Sequence, residues 1–255
     1  MKLNPNETRR YLDEYLLLHY GRPRDVCPFP FIPRELLRFH ERLREEYLLP
    51  VRPRRPSGAG VSPVVSQIRG LDLGCAVGRF AFELGRVVHH VLGLDNSKSF
   101  IQAARRMAQR HELVVKVPES GARLRACRLV LPDALRRYRV EFRVGDATDL
   151  TDFPEGAFQV VSAINLICRV RHPRQCLRQL ARLLAPGGQL LLVSPFSWLA
   201  QYSSPTEWLT EQDLRSLLHP HFRLVRHGDV PFVIREHRRK YELVISKAFT
   251  FVRRQ

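Results

Sequence analysis

No stretch of this chain approaches the roughly 18 consecutive apolar residues that a membrane-spanning helix needs. Its opening residues, Met-Lys-Leu-Asn-Pro-Asn-Glu, lack the apolar core of a signal peptide. Cysteine is sparse and odd in number. Cys27, Cys75, Cys127, Cys168 and Cys176 form no CxxC pair, which argues against a disulfide framework and against a zinc knuckle. Lysine is also rare: of 42 Lys and Arg only five are Lys, and the 37 Arg are scattered with no basic tail. The net charge of +17 therefore reads as a bias toward arginine rather than a stripe tracking phosphates. A soluble, cytoplasmic protein is expected, with no membrane partner and no nucleic-acid partner.

What is present suffices for a full core. The 255 residues are 44% apolar and 26% charged, enough for one large domain or two small ones and unlike a disordered chain. The start reads as a capped helix, with Asn4 as N-cap, Pro5 at its first position and Glu7 three residues after the cap. Leu12, Tyr15, Leu16 and His19 share one face, and Gly21-Arg-Pro ends the run. Tyr11, Tyr15 and Tyr20 either line a pocket or staple the helix to the core. A stiff turn, Pro28 to Pro33, precedes a charged helix over about 34–47. Residues 50–63 read as a linker, with a weak basic patch as the alternative. The expected division is a helical cap plus linker over 1–63 and a second domain over 64–255.

That second part alternates strands and helices. Strands are predicted at 68–73, 90–95, 139–144, 158–164 and 189–194, with helices at 78–86, 97–111 and 173–185. The alternation predicts an α/β fold with a mostly parallel sheet covered on both faces. Residues 112–138 exceed a normal connection and read as an insertion holding a short hairpin or helix. Two further strands are predicted within 222–253.

The sharpest local pattern is Leu71-Asp-Leu-Gly-Cys-Ala-Val-Gly-Arg79, which follows a strand and opens a helix. Gly74 and Gly78 let backbone approach a ligand, and the helix start offers unpaired N–H groups. The spacing is G-x-x-x-G, preceded by Asp72, and not the dinucleotide G-x-G-x-x-G. The second strand ends at Asp95, 21 residues after Gly74, where an acid can accept from both hydroxyls of a ribose. Asp146 and Ala147 follow the third strand, at the place of an adenine edge, and Asn165 ends the fourth. Each acid alone could be a helix N-cap. Four strand ends together suggest one nucleoside site.

This set resembles the class I S-adenosylmethionine-dependent methyltransferases. The resemblance implies a Rossmann-like, seven-stranded sheet with a terminal antiparallel strand. It also implies S-adenosylmethionine as donor, S-adenosylhomocysteine as product, and no metal. The implied donor contacts are Asp72, Gly74, Cys75, Ala76, Gly78 and Arg79 in the loop; Asp95, Asn96, Ser97 and Phe100 after the second strand; and Asp146, Ala147, Asn165 and Leu166.

A wider resemblance covers almost the whole chain. Glu14-Tyr-Leu-Leu-Leu-His-Tyr-Gly21, Asn165-Leu-Ile167, Ser194-Pro-Phe-Ser-Trp-Leu199 and the block from Pro231 to Tyr241 resemble the methyltransferases of ovothiol biosynthesis. Those enzymes are similar to the C-terminal domain of 5-histidylcysteine sulfoxide synthase. The resemblance implies methylation of the imidazole of 5-thiohistidine (4-mercaptohistidine), on the nitrogen nearer the side chain, to give ovothiol A. The alternative is a class I methyltransferase acting on another small molecule, or on RNA or a protein. Asn165, Tyr15, His19 and Tyr20 are then expected to orient the ring, with Ser194 and Trp198 beside it. Trp198 and Trp208 could equally serve packing. Arg235, Arg239 and Lys240 are expected to hold a carboxylate and Glu236 an ammonium; a solvated basic face is the alternative. Two departures stand out: Cys168 occupies a position where the family carries an acid, and the segment after Trp208 is short. Absence of the synthase domain would make this a free-standing methyltransferase. His89-His90 and His219-Pro-His221 lack further ligands and read as surface histidines.

Overall fold

The computed structural model describes residues 8–51 and 67–255. A seven-stranded sheet runs in the order β5-β2-β1-β6-β7-β9-β8. Its strands are β1 (Arg69–Leu73), β2 (His90–Asp95), β5 (Val140–Val144), β6 (Phe158–Ile164), β7 (Leu184–Ser194), β8 (Phe222–His237) and β9 (Lys240–Arg253). From β5 to β7 neighbours are parallel; β9 runs antiparallel to both β7 and β8. This is the Rossmann-like fold of the class I methyltransferases, as the alternation of elements predicts. The predicted insertion is a hairpin, β3 (Glu112–Ser120) and β4 (Arg123–Val130), forming its own two-stranded sheet.

Side chains alternate across the sheet as the pleat requires. In β7, Leu190 and Leu192 join one apolar cluster while Leu191 and Val193 join the other. Helices α4 (Arg79–Leu84) and α5 (Lys98–Arg110) cover the face of Leu191 and Val193, and α6 (Pro173–Leu183) and α7 (Glu211–Leu218) form the second cluster with Leu190 and Leu192. α5 starts where the Ser97 hydroxyl accepts from the Phe100 N–H at 3.1 Å, and buries Phe100, Ile101, Ala104 and Met107 at helical spacing. α6 stops at Leu183 and β7 begins at Leu184, five residues before the predicted strand. Among the described residues no helix is long and apolar enough to cross a membrane.

The N-terminal helix α1 spans Arg9–Tyr20 with Thr8 as its cap; the predicted cap at Asn4 lies outside the described residues. So do residues 52–63 of the predicted linker. The single charged helix expected over 34–47 is instead three short pieces: a 3₁₀ turn (Arg34–Leu37), α3 (Phe39–Arg42) and a π turn (Leu43–Tyr47). A four-residue helix α2 (Pro23–Val26) lies between. Leu16, Leu17, Tyr20, Phe39 and Leu43 share one apolar cluster with the sheet, and the Phe39 ring stacks on Phe232 at 4.1 Å. β7 ends its pairing at Ser194, opposite Lys247. The β8–β9 pairs from Val230↔Ser246 to His237↔Lys240 therefore overhang the end of β7 as a ribbon, against which α1 packs.

Candidate active site

The carboxyl ends of β1, β2, β5 and β6 meet at one edge of the sheet. Gly74 and Gly78 adopt φ of +71° and +92°, a region that L side chains rarely enter. A Cβ on Gly74 would stand 2.7 Å from Leu166 Cδ1, so Leu166 packs closely on the loop. Gly74 and Cys75 donate their N–H groups to Leu94 O, tying the loop to the end of β2. Asp95 is half-buried there. Its carboxylate accepts from the N–H groups of Ala76 and Ser97, both at 2.9 Å, and so joins the loop to the start of α5.

Asp72 lies beneath the loop. Its Oδ1 accepts from the Ser162 hydroxyl at 2.7 Å, whereas Oδ2 is buried with no hydrogen-bond partner among the described residues. Burial pushes this carboxyl up to about 7, and the neighbouring Asp95 charge adds to the effect. An orphaned carboxylate oxygen under a glycine cradle fits a ligand that brings a cationic group to the loop. Asp146 follows β5, exposed, accepting from the N–H and hydroxyl of Thr148. Ala147 beside it is buried, and Asn96 is exposed. Cys75 is buried, and burial holds its thiol far above the usual range, so it packs and does not attack.

Asn165 follows β6 in the left-handed region at φ +52°, and its Oδ1 accepts from the Ser246 hydroxyl of the ribbon at 2.9 Å. Opposite, Tyr15 packs on Phe100 with ring centres 4.9 Å apart, and Tyr11 lies parallel to Phe100 at 6.4 Å. Burial raises both phenols, most strongly Tyr15, so they stay protonated. Phe100 is thus a buried support for the tyrosines. Two neighbours escaped sequence reasoning. Arg169 donates to Ser197 O at 2.6 Å with its guanidinium over the Tyr202 ring, and its charge acts on both Tyr11 and Tyr15. Neither belongs to a local pattern.

Several expected site residues are structural instead. Tyr20 is buried and donates to Val77 O at 2.8 Å. His19 accepts the Arg79 N–H on Nδ1 and packs 4.4 Å from His40. Arg79 does not reach for a ligand: it donates to Glu41 Oε1 at 2.6 Å, Glu83 Oε1 at 2.8 Å and His19 O. These three residues lock α1 to the loop, because burial leaves no water to satisfy them. Arg235 is 3% exposed and donates to Asp25 O, Pro118 O and Glu119, bracing the ribbon to α2 and the hairpin. Lys240 pairs with Glu236 at 2.6 Å near the ribbon turn, and Arg239 is exposed there. Ser194 is buried and accepts from the Phe196 N–H, while the Trp198 indole donates to Leu209 O against the second apolar cluster. Cys168, where an acid was expected, is a buried thiol next to Asn165 O at 3.8 Å. Among the described residues no group of three or more His, Cys, Asp or Glu is arranged for a metal ion.

The fold and this site point to a class: residues 71–192 match the methyltransferase domain family. The chain's relatives narrow the picture little. A ubiquinone biosynthesis O-methyltransferase of Xanthomonas euvesicatoria pv. vesicatoria is 28% identical over 124 residues, covering 49% of this chain and 41% of that protein. The chain thus matches about two fifths of the length of such curated relatives. Among solved structures, a methyltransferase from Methanosarcina mazei is 18% identical with a TM-score of 0.52, covering 76% of this chain and 98% of that one. A protein studied for conversion of a disulfide bond into a thioacetal group during echinomycin biosynthesis is 20% identical with a TM-score of 0.52, covering 74% and 76%. These likenesses are of fold.

Proposed function

We propose that the chain methylates a small imidazole-bearing amino acid, 5-thiohistidine, on the ring nitrogen nearer its side chain. The observation that carries this reading is the aromatic wall. Tyr11 and Tyr15, in a segment that resembles the ovothiol methyltransferases, stand on Phe100 beside Asp95 and offer a flat ring a partner next to the donor end. α1 roofs this end of the sheet, which suits a small acceptor better than a macromolecule.

The bound donor would supply a methyl group on a positively charged sulfur, already activated for displacement. The Gly74–Gly78 loop, Asp72, Asp95 and Asp146 would hold it, with Asp72 Oδ2 offered to its ammonium. The chain's remaining work is alignment and exclusion of water. Asn165, fixed by Ser246, would meet the ring's edge and Tyr15 its face. A hydrogen bond at one ring nitrogen selects the tautomer with a lone pair on the other. The ring sulfur ionises readily and enriches the imidazole, so thiohistidine outdoes histidine as nucleophile. A pocket formed around that sulfur leaves polar groups unpaired with histidine, an omission that can cost about 10⁴-fold.

Mass spectrometry and NMR of products from labelled donor with 5-thiohistidine, histidine, a catechol and RNA test the proposal. An N-methyl product from thiohistidine, strongly preferred over histidine, is expected. An S-methyl product, comparable turnover of histidine, or turnover of only the catechol or RNA would overturn it.

A further inference from the structure

Between α1 and the overhanging ribbon lies a cavity of about 320 Å³. Tyr11 and Tyr15 form part of its wall, so it shares that wall with the donor end. The charged side chains lining it are Arg10, Glu14, Glu236 and Glu242. Three carboxylates against one cation reverse the trend of a chain carrying +17. They also come from two distant segments, α1 and the ribbon, which only the fold brings together.

The three carboxylates are not equivalent. Glu236 already has the Lys240 ammonium at 2.6 Å. Glu14 and Glu242 have no ion-pair partner among the described residues. Glu14 is half-buried, and its carboxyl is held above the usual range, first by burial and then by repulsion from Glu236 and Glu242; Arg10 and, less strongly, Lys240 oppose this. A carboxylate that is partly desolvated and repelled by two others gains most from an incoming cation. Arg10, one turn earlier on the same face of α1, sets a positive group about 5–6 Å from Glu14 at the level of Cβ. A cation and a carboxylate so spaced complement the two ends of a free α-amino acid.

We propose that this cavity is an amino-acid subsite in which Glu14 and Glu242 hold the acceptor's α-ammonium and Arg10 its α-carboxylate, leaving the side chain to pass Tyr15 toward the donor end. It rests on the small-acceptor reading above and replaces the expected clamp of Arg235 and Glu236.

The test compares 5-thiohistidine with its desamino analogue, identical except for the missing amine. With S-adenosylhomocysteine bound to prevent turnover, calorimetry on the full chain should show the amine strengthening binding at least tenfold. Glu14→Gln should abolish that advantage, weakening 5-thiohistidine about tenfold while leaving the analogue and S-adenosylhomocysteine within twofold. In turnover the same variant should raise KM and spare kcat. If Glu14→Gln unfolds, Glu242→Gln on the exposed ribbon carries the same expectation. Equal binding of amine and desamino ligands, or equal loss of both in the variant, would overturn the subsite. Amine-dependent binding without methylated product would leave the subsite standing and overturn the proposed reaction alone. Absence of binding by either ligand would overturn both.

Discussion

At the proposed donor end, Asp72, Gly74, Gly78 and Asp95 fall within 24 consecutive residues, and the loop is tied to the end of β2 by short hydrogen bonds from backbone N–H groups. The proposed acceptor side instead unites α1 near residue 15, Asn165, and the ribbon near residue 236. The first region is held by main-chain groups and glycine conformations, which a local pattern can specify. The second is held by ion pairs between distant segments: Arg79 with Glu41, and Arg235 with Glu119. The donor end can therefore be altered one residue at a time, whereas the acceptor side fails when a brace is cut.

The largest expected effect is on such a brace. Arg79→Ala removes the buried guanidinium that Glu41, Glu83 and His19 O share, while Glu83 keeps Arg44 at 3.0 Å and Arg86 at 3.1 Å. Hydrogen bonds to charged groups contribute about 1.5–3 kcal/mol each, so a loss of at least that size is expected. Urea unfolding should show that loss, while S-adenosylmethionine affinity of the folded protein at low temperature stays within about threefold. A fall in donor affinity matching that of a loop variant would mean the two regions are one unit.

Next is Asp95→Ala. Charge-assisted hydrogen bonds contribute about 1.5–3 kcal/mol each, so calorimetry should show donor affinity reduced at least tenfold. An unchanged Kd would remove Asp95 from the donor site.

Asp72→Asn should separate binding from stability. The folded carboxyl titrates at about 7, above its value of 3.8 in the unfolded chain. Its contribution is therefore fully present below pH 3.8 and is lost as pH rises to about 7. Removing the charge should stabilise the donor-free protein by about 1–2 kcal/mol at pH 8, and weaken donor binding. A destabilised variant at that pH would show that the ionised carboxylate is already satisfied.

The smallest effect belongs to His40, which burial pushes down to about 3, with Arg79 nearby adding to it. A depressed histidine contributes stability above its unfolded pKa of about 6.5, and that stability is lost as pH falls toward the folded value. The loss should stay below about 1 kcal/mol at pH 6 and grow as pH falls further. His40→Phe should flatten that acid limb in thermal melts; an unchanged limb would shift the acid sensitivity to other groups.

These contrasts also explain what was legible. The strands at 90–95 and 158–164 match their predicted bounds because each is a short apolar run buried on both faces. The 112–138 insertion was visible from length, its hairpin form only as one of two options. The helix expected over 34–47 is three pieces whose partners change along the chain: the 3₁₀ turn meets β8, α3 meets α4 and β8, and the π turn meets β8 and β9. Arg79, His19 and Tyr20 sit at positions where sequence reading expects ligand contacts. Burial turned them into braces, and nothing local distinguishes a buried arginine from one that faces a ligand.

The sequence by itself determined the class of fold and the Gly74–Gly78 loop, because period, strand ends and glycine spacing act over a few residues at a time. Only the tertiary structure decided which charges are spent on braces and which remain at a cavity. Burial and the meeting of α1 with the ribbon depend on how the whole sheet is ordered, and that order sets two glutamates and one arginine from opposite ends of the chain beside the same two tyrosines.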